Sequence, residues 1–391
     1  MARRKGVESS IALADAVAMC KVDAISAYPI TPQTHIVEHL SEWVNDGELD
    51  AEFIPVESEH SAMSAALGTS AVGARTFTAT SSQGLALMHE ILFIAPAMRL
   101  PVVMAVANRS LSGPISIWND HSDIMAERDI GWIQIFAENG QECFDLTPAC
   151  FKIAEDKRVI LPTILNFDGF IVSHMIEPIE YWEQETFDKF LPEFEPQIRL
   201  DVKNPSTMGA VGVPEIYYEA RMAQHMALVN SKPVIKEVFA EVSQITGREY
   251  KVVESYNMEK AEVALVMMGS LTETAMTAVN NLKAKGIEVG IVRPRLWRPF
   301  PTEEFLEVLG DISVIGCVDR AYTFGAASHP VASEVKSVLY TSDKRPQVRE
   351  YVMGIGGRDV RIEEIEDMFM QLIEVKNTGK DFPIQYIGVR E

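Results

Sequence analysis

The 391-residue chain, with 47% hydrophobic and 23% charged residues, is long enough for two or three domains and ordinary for a globular protein, which excludes a disordered chain, a collagen-like repeat and a heptad rod. Its 35 Lys and Arg face 56 Asp and Glu, a formal charge of −21 that suits neither a nucleic-acid backbone nor an anionic lipid surface. No apolar run approaches the roughly 18 residues of a membrane span, and no signal core follows the basic Met1-Ala2-Arg3-Arg4-Lys5. Cysteines stand at 20, 143, 150 and 317, with no Cys-x-x-Cys pair and no cluster-ligand run. Reduced, mostly buried thiols in a cytoplasmic protein are expected.

In chain order, 23–28 reads as a short strand ended by Pro29, and Ile36, Val37, Leu40, Trp43 and Val44 mark one face of the next helix. A strand at 52–56 precedes 61–73, a helix built almost entirely from small residues, Met and Leu, which lets its neighbours approach closely. Then come a strand at 75–80, a turn at 81–84, an apolar helix at 85–95, and strands at 101–107 and 161–166 of the type buried on both faces. This alternation predicts βαβ units and a mostly parallel sheet. The stretch at about 175–214 carries Pro178, Pro192, Pro196, Pro205 and Pro214, too many for continuous helix. It reads as an extended, ordered arm whose Tyr181, Trp182, Phe187, Phe190 and Phe194 need cover from the chain itself or from a partner. A connecting helix is expected at 215–228.

From about 260 the alternation resumes. It comprises a strand at 263–268, a capping box at 270–273 opening a helix, a strand at 287–292, a helix at 301–309, a strand at 312–318, a helix at 331–339 and a strand at 348–353. The expected architecture is an α/β domain over 1–230 that includes the arm, a linker over 231–259, and a smaller α/β domain over 260–391.

Ligands of open parallel sheets bind beyond the carboxyl ends of the strands, and several unusual groups fall there. In Tyr28-Pro29-Ile30-Thr31-Pro32 two prolines stiffen the loop and fix the Thr31 hydroxyl, although a plain rigid turn reads the same way. Glu59, in Glu57-Ser58-Glu59-His60, lies beside the small-residue helix. There it either meets a ligand donor or serves as an N-terminal acid of the helix. Arg109 ends a buried strand and suits either a bidentate carboxylate clamp or a local ion pair. Asp120-His121-Ser122-Asp123 offers metal-ligand types without metal-ligand spacing, so a hydrogen-bonded loop competes. The run Gly354 to Gly357 lacks a dinucleotide fingerprint and reads as a tight turn.

Taken in order, Tyr-Pro-Ile-Thr-Pro at 28–32, Glu-Ser-Glu-His at 57–60, Thr-Ser-Ser-Gln-Gly-Leu at 80–85 and Asn-Arg at 108–109 resemble the alpha subunits of the 2-oxoacid:ferredoxin oxidoreductases. So do Trp-Asn-Asp-His-Ser-Asp at 118–123, Arg-Asp-Ile-Gly-Trp-Ile-Gln at 128–134, Asn-Phe-Asp-Gly-Phe at 166–170, Arg-Pro-Arg-Leu-Trp-Arg-Pro-Phe at 293–300 and Gly-Ile-Gly-Gly-Arg-Asp at 354–359. The resemblance is strongest to pyruvate:ferredoxin oxidoreductase (pyruvate synthase) and runs over nearly the whole chain. It implies a thiamine-diphosphate pyrimidine-binding-type parallel-sheet domain followed by a transketolase C-terminal-like domain. It also implies reversible oxidative decarboxylation of pyruvate to acetyl-CoA and CO2, with coenzyme A as co-substrate and ferredoxin as electron acceptor.

By the same resemblance the chain acts only with beta, gamma and delta subunits. The beta chain holds the diphosphate and its Mg2+, and partner chains hold the [4Fe-4S] clusters. Glu59 matches the family's glutamate that hydrogen-bonds the N1′ nitrogen of the cofactor, with Pro29 and Ile30 beside the cofactor. Thr31 and Arg109 match the residues that hold the 2-oxoacid carboxylate. A small, uncharged Thr31 with no second cation nearby favours pyruvate. The alternatives are 2-oxobutyrate, a branched-chain 2-oxoacid or oxalate, or a non-catalytic scaffold. A self-contained thiamine decarboxylase or transketolase would need a Gly-Asp-Gly segment that this sequence lacks.

Overall fold

The computed structural model describes residues 3–343 and 345–390. A seven-stranded sheet runs in the order Leu296–Arg298, Ile133–Phe136, Thr163–Asp168, Val103–Asn108, Thr76–Thr80, Ala24–Ala27, Glu52–Pro55. All of its strands are parallel except Leu296–Arg298 at the edge. A six-stranded sheet runs Gln385–Tyr386, Gln347–Val352, Val314–Asp319, Val263–Val266, Gly290–Pro294, Val253–Tyr256, with only the last strand antiparallel.

The apolar runs are explained by burial on both faces. In Val103–Asn108, Val103, Ala105 and Ala107 enter one core while Met104 and Val106 enter another, as the two-residue period of a strand requires. The second of these cores continues into the six-stranded sheet through Ala264, Val266, Val292 and Ile315, so the two sheets share packed interior.

Several expectations are corrected. The arm is more regular than its prolines suggest. Strand Ile176–Tyr181 pairs antiparallel with an unanticipated N-terminal strand, Arg3–Glu8. Helix Gln184–Phe190 fits in the gap between Pro178 and Pro192. Tyr181, Trp182, Phe187 and Phe190 are buried by the chain's own surface, with Phe144 against the rings of the first three and Trp182 against that of Phe190.

The segment 231–259, expected as a linker, holds helix Lys232–Thr246 and strand Val253–Tyr256. That helix buries Val234, Ile235, Val238, Phe239 and Val242, an amphipathic stripe that a reading focused on strand–helix alternation passes over. The expected turn at 81–84 already belongs to helix Ser82–Leu92. The Ser270 hydroxyl makes no cap and donates instead to Asp168. Helix Gly140–Glu155 was hidden from sequence reading by Pro148 in its interior.

A buried ion network spans the seam between the sheets. Arg293 reaches Glu142 at 3.1 Å, and Arg295 bonds the same carboxylate; both arginines also bond Glu254. Burial would push Glu142 up, but the two guanidinium groups hold its carboxyl down at about 2. Glu142→Gln removes the carboxylate that the two buried cations share, while Glu254 still pairs with both and Glu138 lies 2.5 Å from Arg293. A loss of about 1.5–3 kcal/mol in denaturant unfolding is expected, and no measurable loss contradicts this role.

Candidate active site

The carboxyl ends of four neighbouring parallel strands bring the candidate residues together. Glu59 follows strand Glu52–Pro55 and opens helix Glu59–Ala71, whose N-cap Ser58 accepts the amide of Ser61 at 3.3 Å. Its side chain is 7% exposed, and among the described residues nothing donates a hydrogen bond to its carboxylate. A buried carboxyl group in that state can accept a donor from outside this chain.

The space around it is built for close approach. A Cβ on Gly84 would lie 2.8 Å from Glu59 Oε1 and 2.4 Å from Thr80 Oγ1. Only glycine lets helix Ser82–Leu92 begin against the carboxylate. The hydroxyls of Thr80 and Ser81 are buried there without partners. Gly84→Ala is therefore expected to displace Glu59 and lower turnover of the assembled enzyme more than about tenfold, with circular dichroism unchanged. Unaltered kinetics contradict the close fit.

The loop after strand Ala24–Ala27 is braced by fully buried Gln33. Its amide donates to the Ala79 carbonyl at 2.8 Å and to the Tyr28 carbonyl at 3.3 Å, while its oxygen accepts the Ile30 amide at 3.3 Å. Pro29 and Thr31 are exposed and Ile30 half-buried at the tip. Arg109, 6% exposed, donates from Nη1 to the Thr31 carbonyl at 2.8 Å and from Nε to the Ser116 carbonyl at 2.9 Å. Its Nη2 has one long contact, 3.5 Å to Gln83 Oε1. Arg109 is thus no surface ion pair. Two of its nitrogens fix the loops, and Nη2 keeps only the long contact to Gln83.

Thr31, Arg109 and Gln83 form one group, and Gly84 ties that group to Glu59. Gln83 lies in the stretch 80–85 that carries the resemblance, but residue type alone gave it no role there. Asp123 was seen only as a member of a cluster. It accepts the amides of Arg109 and Ser82 at 3.0 Å each and of Ile124 at 2.8 Å, although burial pushes its carboxyl up to about 7. The cluster at 120–123 is a hydrogen-bonded loop. Asp120 accepts the Ser122 amide at 2.9 Å and the Ser110 hydroxyl at 2.7 Å, and His121 pairs with Asp168 at 2.8 Å. Ile355–Gly357 is the expected tight turn, in 3₁₀ form.

Comparison with known proteins gives the family. A family model described as pyruvate flavodoxin/ferredoxin oxidoreductase, thiamine diphosphate-binding, matches residues 15–240. A second, pyruvate:ferredoxin oxidoreductase core domain II, matches residues 261–365. The fold and the family models thus define a chain of the thiamine-diphosphate-binding oxidoreductase class. The chain belongs to the pyruvate:ferredoxin oxidoreductase family.

Pyruvate synthase subunit PorA of Pyrococcus abyssi is 44% identical over 390 residues, covering 99% of this chain and 98% of that protein. Ketoisovalerate oxidoreductase subunit VorA of Pyrococcus horikoshii is 42% identical over 379 residues, covering 96% and 95%. A solved 2-oxoglutarate:ferredoxin oxidoreductase from Magnetococcus marinus, with 2-oxoglutarate, coenzyme A and succinyl-CoA bound, matches with TM-score 0.71 at 19% identity. That match covers 95% of this chain and 65% of the longer polypeptide, and the likeness is one of fold. No helix among the described residues is long and apolar enough to cross a membrane.

Proposed function

We propose that the chain is the alpha-type subunit of a cytoplasmic pyruvate:ferredoxin oxidoreductase and contributes the proton-relay and substrate-holding half of a thiamine diphosphate site. The observation that carries this reading is Glu59: a buried carboxyl group without an internal donor, set against a glycine whose missing side chain lets the next helix begin in close contact with it. Those features, with the unpartnered Thr80 hydroxyl, fit an aminopyrimidine ring presenting a nitrogen to the acid.

When bound, thiamine diphosphate supplies the carbon nucleophile that attacks the keto group of a 2-oxoacid. Glu59 holds the proton at N1′, in a site dry enough to make that hydrogen bond strong. Pro29 and Ile30 wall the ring. Arg109 Nη2 takes the substrate carboxylate, and Thr31, held through its carbonyl by the same guanidinium, presents its hydroxyl alongside. The diphosphate and Mg2+ belong on the beta chain. The [4Fe-4S] clusters that feed ferredoxin belong on partner chains, and coenzyme A takes the acyl group within the complex that also includes gamma and delta subunits.

Relatives named for pyruvate and for ketoisovalerate share nearly the same identity with this chain, so overall similarity does not choose the substrate. Small, uncharged Thr31 beside a single arginine favours the methyl of pyruvate. The test is a panel of 2-oxoacids with coenzyme A and a viologen dye, run on the native complex. Pyruvate is expected to give the highest kcat/KM. A preference for a branched-chain 2-oxoacid overturns the substrate assignment, and inactivity toward every 2-oxoacid overturns the reading.

A further inference from the structure

We propose that the six-stranded sheet sets the position of the substrate arginine through a buried Arg320–Asp168–His121 relay, making Arg320 and Asp168 positioning residues for Arg109. The inference rests on the role given to Arg109 above. Asp168 ends strand Thr163–Asp168 and pairs in register with Asn108, the residue before Arg109. Its carboxylate faces the other sheet. Oδ2 accepts Arg320 Nη1 at 2.7 Å, the Ser270 amide at 2.8 Å and the Ser270 hydroxyl, while Oδ1 accepts His121 Nε2 at 2.8 Å.

The anion is secured from both sides. Burial alone would push its pKa up, but Arg320 and His121 hold it well below the usual carboxylate range. Arg320 also fixes the main chain of the turn, because its carbonyl accepts the His121 amide at 2.8 Å. Gly269, with φ +72°, makes the approach possible. A Cβ there would stand 2.9 Å from Asp168 Oδ2 and 3.2 Å from His121 Nε2.

The relay ends on the substrate clamp. Two residues beyond His121, Asp123 holds the amides of Arg109 and of Ser82, the neighbour of Gln83. The rest of the clamp strand exit is tied to the same turn. Asn108 Nδ2 reaches Asp123 at 3.1 Å, the Ser110 hydroxyl reaches Asp120 at 2.7 Å, and the Leu111 amide reaches Ser122 at 2.9 Å. Asp120 also accepts the amide of Gly356, at the carboxyl end of the six-stranded sheet, at 3.0 Å. The network thus reaches the backbone of the residue given the substrate-holding role above. In a packed, hydrogen-bonded chain, a shift at Arg320 is passed on to Arg109, and small misplacements of such groups are costly in rate.

The experiment is steady-state kinetics of the complete complex carrying Arg320→Lys, Ser270→Ala, Arg109→Lys, or Arg109→Lys with Arg320→Lys. Arg320→Lys is expected to raise the KM for the 2-oxoacid about tenfold while KM for coenzyme A and the apparent Kd for thiamine diphosphate stay within about twofold. Ser270→Ala, which removes one hydroxyl and keeps every charge, is expected to show the same pattern more weakly, and it decides the matter if the lysine variant does not assemble. The double variant is expected to resemble Arg109→Lys alone, because both changes act at one point. An unchanged 2-oxoacid KM in Arg320→Lys and Ser270→Ala, while Arg109→Lys raises it, overturns the relay. So does a uniform fall in all parameters, or multiplication of the two effects in the double variant. If Arg109→Lys itself leaves the 2-oxoacid KM untouched, the clamp reading fails first and takes the relay with it.

Discussion

Glu59→Gln is expected to lower turnover of the assembled enzyme by at least about 10²-fold while leaving subunit assembly intact, because proton transfer by a positioned side chain typically contributes about 10²–10⁴-fold. The substitution keeps the shape of the side chain in its slot beside Gly84 and removes the charge. A glutamine oxygen can still accept a hydrogen bond, but it cannot take and hold a proton. The loss should therefore appear in kcat, with the 2-oxoacid KM little changed. Glu57 is the internal control. It is a solvent-facing acid bonded to the Ser61 hydroxyl, which draws its pKa down, and Glu57→Gln is expected to leave kcat within about twofold. Near-normal turnover in Glu59→Gln, or equal losses in the two variants, contradicts the assignment.

Arg109→Ala is expected to raise the pyruvate KM by about 10–100-fold and to lower kcat/KM at least as much, since a hydrogen bond to a charged group contributes about 1.5–3 kcal/mol. Part of that loss comes from the released carbonyls of Thr31 and Ser116, which hold the two loops in register. Arg109→Lys separates the terms. It keeps the charge but cannot bridge both carbonyls and a carboxylate at once, so an intermediate KM is expected. A pyruvate dependence indistinguishable from that of the unaltered enzyme in both variants removes Arg109 from the substrate site.

The inner strand Val103–Asn108 was legible because it is buried on both faces and reads as an unbroken apolar run, whereas Thr76–Thr80 and the partly exposed Glu52–Pro55 were read from their alternation with helices. What escaped reading depends on partners far along the chain. The charged strand Arg3–Glu8 exists only because Ile176–Tyr181 lies beside it. Leu296–Arg298 joins the seven-stranded sheet from sequence otherwise devoted to the other one. At the site, Glu59, Arg109 and Thr31 stood out by residue type at strand exits. Their supports did not. Gln83 acts through a side-chain contact that sequence does not encode locally. Asp123 and Asp168 were visible as acids, but which of several acids turns inward is settled by the amides they meet, across 14 residues for Asp123 with Arg109 and 102 residues for Asp168 with Ser270. Ser270 shows the limit of local rules: its four-residue pattern is that of a helix cap, yet its hydroxyl serves a buried carboxylate in the other sheet.

The most direct measurement is the structure of the complete complex with thiamine diphosphate bound, read at one distance. The Glu59 carboxylate is expected within ordinary hydrogen-bond range, about 2.6–3.0 Å, of the N1′ nitrogen, with no water between them. A Glu59 side chain turned to solvent, or a cofactor ring seated against some other acid, would contradict the role given to this chain.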